Sequence, residues 1–296
     1  DFRVLSEQTK ICLRKSVTDI EKKQCRIAFD LSLKNKFRIF RPASAISAKK
    51  TKFTAYYTPT LEGSRSPTAE FPVPLYAPPL EPELKGLSRA DIDFGKKLRG
   101  HGYELFYTRN LFDLYLLQIQ GGGRVLFSEK GLQQSSYLTY GGTNNQKFKF
   151  ISRYMLDKGM IKDGSSESQR KYLQEHPEKS EEIFSYSPGY VYFELSSEEP
   201  LGCDGVSLTD NRSLATDMNL YPLKGLLAFV VSQRPVPAKV GDYQMLNFSR
   251  FFLDQDTGGA IKGDARADLY FGQDSYGEFA SYRLNNMGDL YFLIKK

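Results

Sequence analysis

Residues 256–272 read DTGGAIKGDARADLYFG. The stretch ends an apolar run, LNFSRFFLDQD at 246–256, and carries three acids, Asp256, Asp264 and Asp268, among glycines. Acids beside glycines have several explanations. An aspartic protease presents its acid as Asp-Thr-Gly after a strand, but it needs two facing copies. This chain has one, and DGVSLTD at 204–210 is not a second. A calcium loop of the EF-hand type needs D-x-[DN]-x-[DN]-G with a distal Glu, a spacing these acids do not follow. Asp beside Gly also caps turns with no chemistry attached. Sugar cleavage needs one carboxylic acid at the glycosidic oxygen and usually a second carboxylate. Spacing alone leaves these readings open and draws the eye to Asp256.

Working outward, the last hundred residues alternate short apolar runs with turns: GLLAFVVS at 225–232, the run before Asp256, ADLYFG at 267–272 and GDLYFLIKK at 288–296. Short strands without long helices predict a closed all-β barrel or a sandwich. Upstream, residues 1–30 read as helical, and FRIFRP (37–42) and KFTAYYTP (52–59) read as strands. Residues 61–82 are rich in Pro, Gly and Ser and predict a loop with a short strand at 73–76. LFDLYLLQIQGGGRVLF at 111–127 is expected to form two strand runs broken by glycines, with Gln118 and Gln120 on one face. Short helices are expected after Ser88, over 148–160 and over 165–184, and a strand at 189–195.

The composition narrows the chemistry. The chain has 296 residues, 40% hydrophobic, with 19 Tyr and 21 Phe, enough for one large domain or two smaller ones. Its net charge of +6 suits an acidic partner: nucleic acid, an anionic membrane or an anionic glycan. No run approaches the roughly 18 apolar residues of a membrane span. The chain opens on Asp1 without Met, as a chain does once a leader is removed. Two histidines, His101 and His176, lie in polar stretches, and three cysteines form no CxxC pair, so no metal site is expected. Cys12 and Cys25 suit a disulfide in an oxidising compartment, and buried thiols account for them equally. Carboxylates are left as the carriers of any chemistry. Gly121, Gly122 and Gly123 match neither phosphate-loop pattern; they suit a tight turn, or a backbone kept bare for a ligand.

A colinear series of segments then resembles one family, the membrane-bound lytic murein transglycosylases A. AYYTPTLEGS (55–64), FPVPLYAPP, LSRADIDFG, DLYLLQIQGGGRV (113–125), YGGTNNQKF, SPGYVYF, NRSLATDMNLYPLKGLLAFV, QDTGGAIKGDARADLYFG, YGEFA and GDLYFLIKK follow the family's order from about residue 53 to the end. The chain departs at Ala55 and Asn145, where the family usually has Gly, at Gly122, where Ser is common, and at Phe271, where Trp residues are frequent nearby. These positions bear on glycan packing more than on the acid.

The resemblance implies a mainly β fold. A double-psi β-barrel would be built from residues 1–58 and 197–296, and a second β-rich domain, 59–196, would be inserted to form the other wall of a glycan cleft. It implies a lytic transglycosylase that cuts the MurNAc–GlcNAc bond of peptidoglycan with a single Asp and leaves a 1,6-anhydro end. The matching acid is Asp268, with Asp256 in support. Gln120, Gly121, Gly122, Gly258, Gly259, Lys262, Tyr57, Thr58 and Tyr140 are the expected substrate contacts. No cofactor, no metal and no nucleic acid are expected. Glycan strands are the expected partner, with other cell-wall enzymes besides. The expected setting is a periplasmic monomer whose precursor carries an outer-membrane lipid anchor. A two-carboxylate glycan hydrolase and a non-catalytic cell-wall binding module are the alternatives.

Overall fold

A computed structural model of the chain describes residues 2–47, 50–199, 201–238 and 243–296. Two helices, α1 (Phe2–Lys15) and α2 (Asp19–Lys36), form a hairpin. Thr18 and Glu21 close a capping box at the start of α2, and a Cys12–Cys25 disulfide with Cα atoms 5.9 Å apart ties the helices together. The chain continues through β1 (Phe37–Phe40), α3 (Ala43–Ser47) and β2 (Thr51–Tyr56). It then enters a second body with β3 (Thr60–Ser64), β4 (Val73–Tyr76), α4 (Pro82–Lys85), α5 (Arg89–Asp93), β5 (Glu104–Thr108) and α6 (Leu111–Gln120). That body closes with β6 (Gly123–Glu129), β7 (Leu132–Thr143), α7 (Ile151–Asp157), α8 (Ser166–Glu175), α9 (Ser180–Ser185) and β8 (Val191–Ser196). The return run is β9 (Ser213–Ala215), β10 (Leu226–Pro237), β11 (Tyr243–Asp256), β12 (Arg266–Tyr270), α10 (Ser275–Arg283) and β13 (Asn285–Lys295).

These strands make two sheets. The first runs β1-β13-β10-β11-β9-β12-β2, and a further pairing of β13 with β2 closes six of its strands into a ring. The fold is mainly β, and this ring is the double-psi β-barrel, with β2 from early in the chain seated between β12 and β13 from its end. The second sheet runs β4-β5-β3-β6-β7-β8, drawn wholly from residues 60–196.

Period-2 alternation decides what each barrel strand offers. On β2, Phe53 and Ala55 point into the core; on β12, Ala267 and Leu269 do the same. They pack with Leu214, Val230, Phe252, Leu290 and Phe292. Truncating a fully buried Phe53 to Ala would cost about 3–5 kcal/mol. The intervening residues, Thr54 and Tyr56 on β2 and Arg266 and Asp268 on β12, therefore stand on the outer face.

The expected strand over 111–120 is a helix. Asn110 caps α6 by accepting from the Asp113 N–H, and Gly121 ends it at φ 78°. Residues 112–118 of α6 are all buried. A helix wrapped on every side has no polar face to reveal its period, so it reads as a plain apolar run. Gln118 and Gln120 thus do not share a face. Gln118 turns inward to Arg89 and donates to the Val191 carbonyl at 2.9 Å. β3 runs into the expected 61–82 loop, and β5, β7 and α10 are further elements that the sequence pattern does not predict.

Candidate active site

The two acids of the opening stretch are brought together by register. Asp268 on β12 is paired with Thr54 across a parallel ladder and with Ala215 across an antiparallel one. Asp256, at the end of β11, is paired with Ala215 from the other side. Residues paired across strands carry their side chains on one face. With neighbouring strands about 4.8 Å apart, the two Asp Cα atoms sit roughly 10 Å apart, with Ala215 on the strand between them.

Asp268 is held by one oxygen. Its Oδ1 accepts from the Thr54 hydroxyl and from Arg266 Nη1 at 2.6 Å, and Arg266 Nη2 donates to the Thr54 oxygen at 2.7 Å. The pair is largely shielded, with 17% and 19% of the two side chains exposed. Among the described residues Oδ2 accepts no hydrogen bond. Asp256, by contrast, is fully used. Oδ2 accepts from the Tyr56 hydroxyl at 2.9 Å and Oδ1 from the Cys203 N–H at 3.2 Å. Burial raises its pKa, while the Thr257 N–H and the Tyr56 hydroxyl pull it back. Burial, then the charge of Asp256, pushes the Tyr56 hydroxyl well above its usual range, so it stays a donor.

The glycine loop between the acids is braced from below by residues 216–224. Thr216 N donates to the Asp256 carbonyl at 3.2 Å, the Thr257 hydroxyl donates to the Thr216 carbonyl at 2.9 Å, and Gly263 N donates to Asp217 Oδ2 at 2.9 Å. The Tyr221 hydroxyl donates to the Asp264 carbonyl at 2.9 Å. Underneath, Lys224 Nζ reaches Asp254 Oδ1 at 3.2 Å, and the Thr216 hydroxyl donates to Oδ2 at 2.8 Å. Burial pushes the Asp254 carboxyl up to about 6. Asp264 turns away from the two acids, its Oδ2 accepting from the Ser44 N–H in α3 at 2.9 Å.

Above the acids the second sheet's body contributes the end of α6. Ile119 and Gln120 line a cavity of about 120 Å³ together with Tyr56, Ala215, Asp256, Asp268 and residues 257–261. Gln120 also accepts from the Tyr57 N–H at 3.4 Å, across the point where the chain passes between the sheets. Of the residues expected from sequence, Asp268, Asp256, Gln120, Gly258 and Gly259 meet here. The others do not line this cavity. Lys262 is exposed and Tyr140 is 59% exposed on β7. Gly121 serves as the left-handed cap of α6, and at Gly122 a Cβ would meet the Leu138 carbonyl oxygen at 2.5 Å, so both serve the chain path. Tyr57 is buried with its hydroxyl on Tyr282 at 3.1 Å, and Thr58 bonds the Tyr270 hydroxyl at 2.8 Å. Tyr57 instead lines a larger pocket of about 400 Å³ with Arg109, Asp113, Arg170, Asp274 and Glu278.

Four site residues escaped the sequence reading: Thr54, Tyr56, Ala215 and Arg266. Alternation along 52–59 carried the signal for the first two, since Thr54 and Tyr56 are in phase and Tyr57 is not. Among the described residues, no cluster of three His, Cys, Asp or Glu side chains is spaced to hold a metal ion.

Two family models cover most of this architecture. The MltA specific insert domain matches residues 52–194, and the 3D domain matches residues 212–293. Together the two matches support the membrane-bound lytic murein transglycosylase A family. The membrane-bound lytic murein transglycosylase A of Escherichia coli (strain K12) is 29% identical over 226 residues, which is 75% of this chain. The chain spans 59% of that relative's length. Among solved structures, Escherichia coli MltA with bound chitohexaose superposes with a TM-score of 0.77 at 22% identity, covering 99% of this chain and 83% of its own. The membrane-bound lytic murein transglycosylase from Agrobacterium tumefaciens superposes with a TM-score of 0.74 at 24% identity, covering 99% and 84%. These structural likenesses establish the MltA fold. The insert model ends within β8 and the 3D model begins just before β9, so Ala215, Asp256 and Asp268 fall in the 3D domain and Gln120 in the insert.

Proposed function

We propose that this chain is a peptidoglycan lytic transglycosylase that cleaves the MurNAc–GlcNAc bond and leaves a 1,6-anhydro-MurNAc end. Residues 1–58 and 197–296 act as the catalytic barrel, and residues 59–196 act as the opposing wall of the glycan cleft. The two family-model matches support this reading, as do the relatives named for murein transglycosylation and the chitohexaose bound to the Escherichia coli protein. The observation that carries it is the asymmetry at Asp268: Oδ1 is bonded to Thr54 and Arg266, and Oδ2 has no partner among the described residues and lies beside the Gln120 cavity.

In the proposed cycle, Asp268 Oδ2 gives its proton to the glycosidic oxygen. The C1–O bond breaks, its electron pair leaves with the GlcNAc O4, and positive charge builds on the muramic C1 and ring oxygen. Arg266 meets the carboxylate as it forms. That carboxylate then takes the proton of the same muramic acid's O6 hydroxyl, and O6 closes on C1. Every proton is returned and no water is consumed. Intramolecular closure removes the need for a carboxylate that positions water. Asp256, with both oxygens occupied, supports the site by fixing Tyr56 and the loop start; a two-carboxylate hydrolase would need it free. Gln120 is the sugar contact from the inserted domain, and Gly258 and Gly259 let the ring approach. Glycan strands in the bacterial periplasm, at the outer membrane, are the proposed substrate and setting.

Digestion of purified murein followed by mass spectrometry tests the reading. Anhydromuropeptides are the expected products; reducing ends alone would indicate hydrolysis, and bound murein with no product a binding module.

A further inference from the structure

The helical hairpin of α1 and α2 lies outside both family-model matches and away from the acids. Only its open end is seated on the barrel: Phe2, Leu5, Phe29 and Leu33 pack with Phe37, Phe251 and Leu293. From residue 9 to residue 28 Cys25 alone is buried. The closed end is therefore held by the Cys12–Cys25 disulfide rather than by a core. An arm braced in this way keeps a defined surface at some distance from the barrel.

That surface has two properties together. Residues 2–36 contain nine Lys or Arg and four Asp or Glu, a net +5, against +6 for the whole chain. Arg14 and Lys15 end α1 and Lys22 and Lys23 lie in the first turns of α2, so the bend is ringed with positive charge. Of the nearby acids, Glu21 is turned onto the Val17 and Thr18 N–H groups, and Asp19 pairs with Lys22 at 3.6 Å, leaving Arg14, Lys15 and Lys23 in excess. Within the ring, Val17 is 86% exposed and Ile20 72%. Basic side chains alone would suit any polyanion. Apolar side chains at the apex gain nothing against a hydrated polysaccharide, but they do gain from the boundary between lipid head groups and acyl chains.

We propose that the tip of this hairpin docks on an anionic phospholipid bilayer, with Val17 and Ile20 entering the interface and Arg14, Lys15, Lys22 and Lys23 against the head groups. The contact holds the barrel about one helix length, roughly 20 Å, off the lipid.

Flotation of the intact chain with vesicles tests this. Vesicles of phosphatidylcholine mixed with phosphatidylglycerol should carry the protein upward at low salt, and pure phosphatidylcholine should not. The double variants Lys22→Glu/Lys23→Glu and Val17→Asp/Ile20→Asp should each weaken flotation at least roughly tenfold. Circular dichroism and cleavage of detached murein should stay at the parent's level, which separates lost docking from lost folding. Three results would overturn the proposal: no flotation on the anionic vesicles, flotation that neither variant weakens, or a charge variant that loses binding to isolated murein but not to vesicles.

Discussion

Asp256 and Asp268 are both registered on Ala215, one from each side. A small side chain at that position keeps open the space between the two carboxyls, and Ala215 lines the same cavity as both. Ala215→Leu would fill it without touching either acid. The expected outcome is a fall in turnover of about 100-fold or more, with a stability cost of about 1–3 kcal/mol from overpacking. Murein digestion and a denaturant titration of the variant check it; full turnover would mean that sugar does not enter between the acids.

Asp268→Asn keeps the size of the side chain and its place on β12. Loss of a general acid and base should lower kcat roughly 10²–10⁴-fold while Tm barely moves. Asp256→Asn should keep more activity, because its contribution is to hold Tyr56 and the loop. Parallel rate measurements on soluble glycan strands decide between them, and an equal loss in both variants would point to a two-acid mechanism.

In the proposed cycle Arg266 is a positioning residue: its two Nη atoms bond Asp268 Oδ1 and the Thr54 oxygen together. Arg266→Gln should lower kcat roughly tenfold or more and leave KM nearly unchanged, because the carboxyl can then rotate. Arg266→Lys should recover only part of the loss, since an ammonium has one nitrogen to offer where the guanidinium bridges two partners. Steady-state kinetics of both variants provide the check, and a change confined to KM would assign Arg266 to sugar binding.

Stability should respond to pH through Asp254, whose carboxyl is pushed up to about 6. Between about pH 4 and 6 the unfolded chain has released this proton and the folded chain still holds it, so folding loses stability as pH rises. The loss is complete above about 6 and amounts to up to about 3 kcal/mol. Measured by Tm, the parent should fall relative to Asp254→Asn across that window and then stay level with its offset. A parent that gains on the variant over the same range would reverse the sign.

How much of this the sequence revealed depends on the residue. The barrel strands around 246–256, 267–272 and 288–296 were legible because one face of each is buried and the alternation is intact. The second sheet was less so: α6 is buried on all sides and shows no period, and β3 lies in a stretch whose Pro and Ser suggest a loop. At the site, Asp268 stood out through a family resemblance, since its closeness to Asp256 is a matter of strand order, which spacing does not encode. Tyr57 was an expected cleft residue; the tyrosine that reaches Asp256 is Tyr56, one position away and so on the opposite side of the strand. Thr54, Ala215 and Arg266 carry no motif of their own. What matters about them is a register across strands more than two hundred residues apart, such as Thr54 with Asp268, or the smallness of a methyl group.

The seat of β2 between β12 and β13 also sets a schedule. Thr54 meets Asp268 across 214 residues of chain, while the second sheet closes on strands from 60–196 alone. As the chain emerges N-terminus first, that sheet can complete itself early, whereas β2 must wait unpaired for the last thirty or so residues. The carboxyl, its hydroxyl and its guanidinium come into line only in the final step of assembly. A chain interrupted before β13 would leave β2 without one of its two partner strands and the ring of six strands open.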